Sequence, residues 1–542
     1  MRMFNLADLF EIVADAVPDR LAIVAGPEER TYRQLDERAT RVANHLTAAG
    51  IVPGEHVAVY AWNRAEWLEA ELGIYKARSS VINVNYRYVA DELRYMLENS
   101  DSVAIVFERA FASLVLQVRD ACPLLRHFVV LDDSSSDDDS TQASALAALG
   151  AVAYEDALAA ASPERDLAAR SADDLYILYT GGTTGLPKGV LWRQEDIFFA
   201  ALGGGGFGRP PITTPEELAT RVAPDGYETV TVVNAPMMHG GGQWVTFISF
   251  FGGNTVLLNC DRHYDAERVL RLAERWKATS IMVVGDAMAR PIADALAAPG
   301  EHYELSSLAG IGSGGAILSK AIKEELRARV PGVIVTDSFG ATETGAAGTV
   351  LDFNSPAAGP KFTINESITV LDDDRRPVAP GSGDVGLLAR RGHIPLGYYK
   401  DDEKTAATFL VDADGVRWVV PGDFATIEAD GTLNLLGRGS VCINTGGEKV
   451  YAEEVEATLK EHPDVFDAVV VGVPDDRYVE RIAAIVTPRD HAQPSLEDLQ
   501  AFCRTKLAGY KLPRQLHLTE EIPRTPVGKP DYRWAKAIAT SS

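Results

Sequence analysis

Tyr179-Thr-Gly-Gly-Thr-Thr-Gly-Leu-Pro-Lys-Gly-Val190 follows without interruption on the apolar run Leu175–Tyr179, which reads as a β-strand. Gly181, Gly182 and Gly185 remove side chains, so that backbone N–H groups can approach an anion. Thr180, Thr183 and Thr184 add hydroxyl donors, Lys188 adds a cation, and Pro187 stiffens the turn. A plain glycine turn accounts for the glycines but not for three threonines and a lysine among them. The stretch reads as a phosphate cradle. It is not the P-loop pattern G-x-x-x-x-G-K-[ST], because Leu186-Pro187 separates Gly185 from Lys188 and Gly189 follows the lysine.

Working outward, the first 350 residues alternate short β-rich runs with helical patterns. Strands are expected at Val57–Tyr60, Val81–Val84, Val103–Phe107, Phe128–Leu131, Val230–Val233, Thr255–Leu258 and Ile281–Val284. Leu35, Ala39, Val42, Ala43 and Leu46 recur at helical spacing, with Gly50 as the stop. Asp265 can cap a helix whose Val269, Leu270, Ala273 and Trp276 share one face. This alternation predicts an α/β architecture with mostly parallel sheet, in which ligand loops lie beyond the carboxyl ends of strands. A second glycine-rich stretch obeys the same rule, Val333–Thr336 leading into Asp337-Ser-Phe-Gly-Ala-Thr-Glu-Thr-Gly345. Asp132–Gln142 reads as a polar, mobile surface loop.

After about residue 437 the pattern becomes a compact α+β segment. Val455 and Leu459 lie one helical turn apart, and Ala468–Val473 and Ile482–Val486 read as strands. Ser495 opens a helix with Leu496, Leu499, Phe502 and Leu507 inward and Asp498 in the reciprocal capping position. The expected division is 1–437 and 438–542, with the boundary near Gly437-Arg-Gly-Ser440.

A chain of 542 residues is too long for one core, and its 46% hydrophobic and 24% charged content are those of an ordinary globular protein. A formal net charge of −25 argues against a nucleic-acid partner. Cys122, Cys260, Cys442 and Cys503 stand at no metal-ligand spacing and read as free thiols of a reducing compartment. The amino terminus does not resemble a secretory signal, and no apolar run is long enough to span a bilayer. A cytoplasmic enzyme without an integral membrane segment is the expectation.

The 179–190 loop resembles the signature of the adenylate-forming superfamily, which comprises acyl-CoA synthetases, peptide-synthetase adenylation domains and luciferases. Seven further motifs extend the resemblance in order over nearly the whole chain. Thr31-Tyr-Arg-Gln-Leu-Asp-Glu-Arg-Ala39 is similar to the start of the family's N-terminal helix, Asn234-Ala-Pro-Met-Met-His239 to its acyl-pocket motif, and Gly312-Ser-Gly-Gly-Ala316 to its adenine-side loop. Phe339-Gly-Ala-Thr-Glu-Thr-Gly345 resembles the magnesium and nucleotide motif, and Pro421-Gly-Asp423 the ribose aspartate, with Pro421 where the family has Thr or Ser. Gly437-Arg438 resembles the ribose-contacting arginine, and Pro523-Arg-Thr-Pro-Val-Gly-Lys529 the carboxyl-terminal catalytic lysine. Ser440 stands where the family's hinge carries Asp or Lys.

The resemblance implies a large α/β domain and a small mobile one, together converting ATP, a carboxylic acid and coenzyme A into acyl-CoA, AMP and diphosphate. It implies catalytic roles for Lys529, Glu343, His239 and Thr184, with Mg²⁺ near Glu343. Nucleotide contacts fall to Thr180, Gly181, Gly182, Thr183, Thr184, Gly185, Lys188, Ser313, Gly314, Gly315, Ala316, Ser338, Gly340 and Thr342. Asp337 would accept from the adenine amino group, Phe339 would offer it a flat face, and Asp423 and Arg438 would hold the ribose. Gly446, Gly447 and Glu448, within Ile443-Asn-Thr-Gly-Gly-Glu-Lys-Val-Tyr451, resemble the thiol-acceptor loop and favour free coenzyme A. The alternatives are a fatty-acyl-AMP ligase loading a separate carrier protein and a nucleotide-binding regulator without catalysis. A homodimer is compatible with this reading.

Gly203–Gly206 and Gly240–Gly242, the latter followed by Trp244, read either as flexible loop or as a side-chain-free wall for a wide acid. Trp192–Phe198, Gly437–Lys449 and Gly528–Trp534 look most like the actinobacterial branch that activates sterol side-chain carboxylates.

Overall fold

Thr31 and Gln34 cap helix Tyr32–Ala48 where it leaves the edge strand Glu28–Thr31. The Thr31 side chain accepts from the Gln34 N–H while Gln34 Oε1 accepts from the Thr31 N–H, so helix Tyr32–Ala48 starts with a reciprocal box. Asp265 caps Ala266–Arg275 and Ser495 with Asp498 caps Leu496–Arg504, as the sequence predicts. The computed structural model describes the chain except residues 1, 134–139, 181–185, 205–209, 223–227, 301, 317, 351–360, 439–441, 446–447, 476–478, 490–491, 508, 525–529 and 542.

The chain forms two compact units: Met1–Val283 with His302–Ala309 and His393–Ala407, and Val284–Glu301 with Gly310–Gly392 and Thr408–Ser542. In the first, a parallel sheet runs in the order Ser80–Asn83, His56–Tyr60, Ser102–Glu108, His127–Leu131, Val152–Ala153. A second has Ser280–Val283, Val230–Val233, Thr255–Leu258 and Leu21–Ala25 in parallel, edged by antiparallel Glu28–Thr31. All seven strands expected here exist, within a residue of their expected bounds. Their β-branched runs are buried on both faces, as crossover helices require. A third, antiparallel sheet joins Leu175–Thr180, Lys188–Arg193 and Gly397–Tyr398.

In the second unit, Gly310–Gly314 and Ile334–Ala341 run parallel and Gly345–Thr349 returns antiparallel. An antiparallel sheet orders Lys361–Phe362, Leu433–Arg438, Asp423–Ile427, Gly386–Arg390, Arg417–Val419 and Phe409–Val411, with Ile368–Leu371 also on Gly386–Arg390. The carboxyl-terminal sheet is built on the long pair Val465–Asp475 and Val479–Pro488. Ala468 and Val470 face Val455, Leu459, Leu499 and Cys503, whereas Val469, Val471 and Val473 face Ala535 and Ala539. Helices therefore cover both faces, which is why these strands read as unbroken apolar runs.

Two local expectations change. Ser140–Leu149 is helical, so the segment expected as loop from Asp132 to Gln142 ends in a helix whose Gln142 accepts the Ser113 N–H at 2.9 Å. Phe502 lies half-exposed, edge-on to His462, and Cys503 takes the inward position. Among the described residues no helix is long and apolar enough to cross a membrane.

A buried ion cluster fastens the amino terminus. Lys76, fully enclosed, lies 2.6 Å from Glu11 and 2.8 Å from Asp36. Arg170 reaches Asp8 at 2.6 Å and Glu11 at 2.7 Å, and Arg165 reaches Asp36 at 2.7 Å. Burial pulls the Lys76 ammonium down to about 8, still charged at neutral pH. Removing one partner strands the others: Lys76→Ala is expected to cost about 3–5 kcal/mol. Amide exchange should show helix Leu6–Ala16 losing protection first, and unchanged protection there would contradict this account.

Candidate active site

The expected phosphate cradle hangs from an antiparallel hairpin rather than from a strand-to-helix turn. Thr180 and Lys188 form the last register pair of Leu175–Thr180 and Lys188–Arg193. Gly181, Gly182, Thr183, Thr184 and Gly185 lie outside the described residues. The stem around them is firmly held. Tyr95 donates to the Pro187 carbonyl at 2.9 Å, and the Tyr179 hydroxyl donates to Asn99 Oδ1 at 2.8 Å. Gly189 serves packing, since a Cβ there would meet the Tyr179 ring at 2.7 Å. Lys188 is part-exposed and paired with Asp401, and this contact holds the Asp401 carboxyl below its ordinary range.

His239 sits at the N-cap of helix Gly240–Phe251, in the turn Pro236–His239. Amide side chains hold that turn. Asn63 Oδ1 accepts the Met237 N–H at 2.7 Å, Gln243 donates to the Met237 carbonyl at 2.8 Å, and Asn83 donates to the Met238 carbonyl at 2.6 Å. Asn234 donates to the Met282 carbonyl and accepts from Asn259. His239 Nε2 is buried and has no hydrogen-bond partner among the described residues. Burial, aided by the Arg87 charge, lowers the imidazole from 6.5 to about 4, so it is neutral at physiological pH.

The glycines beside it are neither loop nor open wall. Gly240–Gly242 form the first turn of the helix. A Cβ on Gly242 would stand 2.6 Å from the Pro236 carbonyl oxygen, and one on Gly240 would stand 2.8 Å from Leu178; only the Gly241 position has ordinary clearance. Trp244 donates its indole N–H to the Tyr176 hydroxyl at 3.1 Å, and that hydroxyl donates to Gln243 at 2.7 Å. Gly203 and Gly204 have φ of +96° and +50°, and Gly205 and Gly206 lie outside the described residues.

In the second unit, Ser313 and Gly314 end strand Gly310–Gly314, opposite Asp337 and Ser338. Ser313 donates to the Ala316 carbonyl at 2.6 Å and accepts the Gly285 N–H at 2.9 Å, closing the Gly315 bend with its φ of +84°. Asp337 is fully buried, accepts the Leu318 N–H at 2.9 Å and pairs with Lys323. One carboxylate oxygen thus ties Leu318 to strand Ile334–Ala341, and the other lies against Lys323. Phe339 packs on Phe362 with centroids 4.4 Å apart, and its ring edge closes over Gly348.

The stretch expected as a loop after Thr336 is strand as far as Ala341, because Gly345–Thr349 pairs back onto it. Thr342 and Glu343 occupy the tight turn between the two, both half-buried. Gly340 permits that turn, since a Cβ would lie 2.2 Å from the Gly345 oxygen. Thr344 Oγ1 accepts the Ala341 N–H at 3.0 Å, and buried Arg390 donates to the carbonyls of Thr344 and Ala346. Desolvation lowers Arg390 to about 10. Asp423 and Arg438 are direct cross-strand partners. Glu448 opens strand Glu448–Tyr451 opposite Thr445. The side chains of Arg438 and Glu448 lie outside the described residues, as do Ser440, Gly446, Gly447 and Lys529.

Each unit thus gathers part of the predicted set: Thr180, Lys188 and His239 in one, the 313–316, 337–343 and 423/438 groups in the other. Asn63, Asn83, Arg390 and Asp401 were missed. Each acts on main chain or charge far away in sequence, and no local spacing signals that.

The AMP-binding enzyme family matches residues 10–399, and its C-terminal domain matches residues 454–529. The chain is 48% identical to a 3-oxocholest-4-en-26-oate–CoA ligase of Rhodococcus rhodochrous, over 98% of this chain and 95% of that one. It is 40% identical to the medium-chain acyl-CoA ligase Mig of Mycobacterium avium, over 99% and 98% of the two chains. The fold matches that of the anthranilate CoA ligase AuaEII in complex with anthranoyl-AMP, with TM-score 0.84 and 24% identity over 100% and 99% of the chains.

The lowered His239 value has a measurable consequence. Its folded pKa lies below the unfolded one, so protons favour the unfolded chain between the two values. Stability is full above pH 6.5 and falls as pH drops from 6.5 toward 4. His239→Gln should therefore lose less melting temperature than the parent between pH 7 and pH 5; an equal loss would refute the buried, neutral imidazole.

Proposed function

This chain belongs to the AMP-binding enzyme family, and from that premise we propose that it is an ATP-dependent acyl-CoA ligase acting on a sterol side-chain carboxylate or a medium- to long-chain fatty acid. The observation that carries the proposal is near-full-length identity of 47–48% to ligases named for those acids. A carboxylate oxygen attacks the α-phosphorus of ATP and diphosphate leaves. The thiol of coenzyme A then attacks the acyl carbon, AMP leaves, and the thiol proton passes to solvent.

Both reactants of the first step are anions, and the residues answer that repulsion. Thr180, the glycine–threonine loop and Lys188 would hold the β- and γ-phosphates, with Thr184 at the reacting phosphates. His239, neutral and with an Nε2 that has no partner among the described residues, would meet the acid without adding charge. The 313–316 bend and Phe339 would flank adenine, with Asp337 sharing its carboxylate between Lys323 and the base. Asp423 and Arg438, opposite one another, would bind the ribose.

Glu343 suits Mg²⁺: a half-buried carboxylate on a pinned turn supplies one hard oxygen, leaving other positions for water and phosphate. Bound there, Mg²⁺ would offset phosphate charge. Lys529 would bridge carboxylate and phosphate during adenylation. Segment 438–542 would then turn to bring Gly446, Gly447 and Glu448 to the pantetheine arm. We place this reaction in the cytoplasm, on the strength of the free thiols Cys122, Cys260 and Cys503.

Lys529→Ala should lower acyl-adenylate formation by about 10²–10³-fold while thioester formation from supplied acyl-AMP stays within a few-fold. Equal loss of both steps would remove Lys529 from that role. Coenzyme A-dependent AMP release across steroid, fatty and aromatic acids tests the substrate class: turnover with aromatic acids alone would overturn it.

A further inference from the structure

Strand Ser80–Asn83 lies beside Leu175–Thr180 and is stitched to it by side chains. Ser80 Oγ donates to the Leu175 carbonyl at 3.1 Å. At the other end, Asn83 Oδ1 accepts the Tyr179 N–H at 2.8 Å, and Asn83 Nδ2 donates to the Tyr179 carbonyl at 3.1 Å and the Met238 carbonyl at 2.6 Å. The side chain is only 4% exposed. Tyr179 directly precedes Thr180, and Met238 directly precedes His239. One buried amide therefore ties the main chain at the mouth of the phosphate loop to the main chain that presents His239. Asn63 secures the same turn to Asn259, and Gln243 reaches the strand through the Tyr176 hydroxyl, further from the loop.

We propose that Asn83 is a positioning residue for adenylation, fixing Thr180 relative to His239 so that triphosphate and acid are presented to one another in register. The inference rests on the reading of those two segments as the phosphate and acid sides of the site. Asparagine is the residue type this junction needs. It must accept one N–H and donate two hydrogens from a single planar group, and both carbonyls it serves are away from water. Errors of about 1 Å in such alignment cost about 100-fold in rate.

Asn83→Asp keeps the shape and the acceptor but removes both donors. Ionised, it faces two carbonyl oxygens with a negative charge. Protonated, which burial favours, it regains one O–H for the Met238 carbonyl. The expected result is acyl-adenylate formation lowered about 100-fold at pH 8, with KM raised for both ATP and acid. Activity should partly recover relative to the parent at the same pH as pH is lowered to 6, and thioester formation from supplied acyl-AMP should stay within a few-fold. Asn83→Ser, which keeps one hydroxyl donor, is read by the same KM pair if the aspartate chain does not fold. Parental KM values in a folded variant overturn the proposal. A pH-independent loss shared by both half-reactions does so too, since it marks a structural role alone. A parent enzyme that forms no adenylate with any acid overturns the functional reading itself, and this proposal with it.

Discussion

Backbone N–H and carbonyl groups that leave regular structure inside a protein must still find partners, and the turn Pro236–His239 finds them in side-chain amides. Asn63, Asn83 and Gln243 each bond one of its main-chain groups, and Asn234 and Asn259 bond one another alongside. A turn left to water at this depth would lose about 1–3 kcal/mol for each orphaned group. Held instead by planar amides, the turn carries one polar atom, His239 Nε2, without a partner among the described residues. The acid-side chemistry assigned to His239 depends on that support.

The same logic recurs in the second unit. Thr342 and Glu343 ride on a turn whose neighbours are pinned by Arg390, and the Gly315 bend is closed by Ser313 and braced through Asp337. In both units some of the residues proposed to meet ligands, His239 in one and Gly315, Ala316, Thr342 and Glu343 in the other, stand on short irregular segments that buried polar side chains hold in place. This is also how a protein of net charge −25 can be equipped for anionic substrates. Lys188 stands at the foot of the phosphate loop, and Asp337 and Asp401 are each paired with a cation, Lys323 and Lys188.

Much of the fold was legible because it is written locally. The β-branched runs at Val57–Tyr60 and Val230–Val233, the caps at Asp265 and Ser495, and the apolar runs at 468–473 and 482–486 each carry their signal within ten residues. The motif residues were legible through resemblance. What escaped was set by pairing across long separations. The hairpin Leu175–Thr180 with Lys188–Arg193 looked like a strand followed by a loop, because its return strand begins at a lysine and a glycine within the glycine- and threonine-rich stretch. Strand Ile334–Ala341 looked shorter than it is, since Gly340 marks close approach to Gly345, and Gly348 of the returning strand close approach to Phe339, rather than an open loop. The glycines at 240–242 open a helix, which sets aside the flexible-loop reading of them. Asn83 gave no signal, because its partners lie 96 and 155 residues away.

Acid-dependent exchange of labelled diphosphate into ATP, run without coenzyme A, tests the central claim most directly. The account predicts exchange that requires a sterol side-chain carboxylate or a medium- to long-chain fatty acid, with net thioester appearing once coenzyme A is added. Exchange that is absent with every such acid, or that proceeds with no acid present, would contradict it.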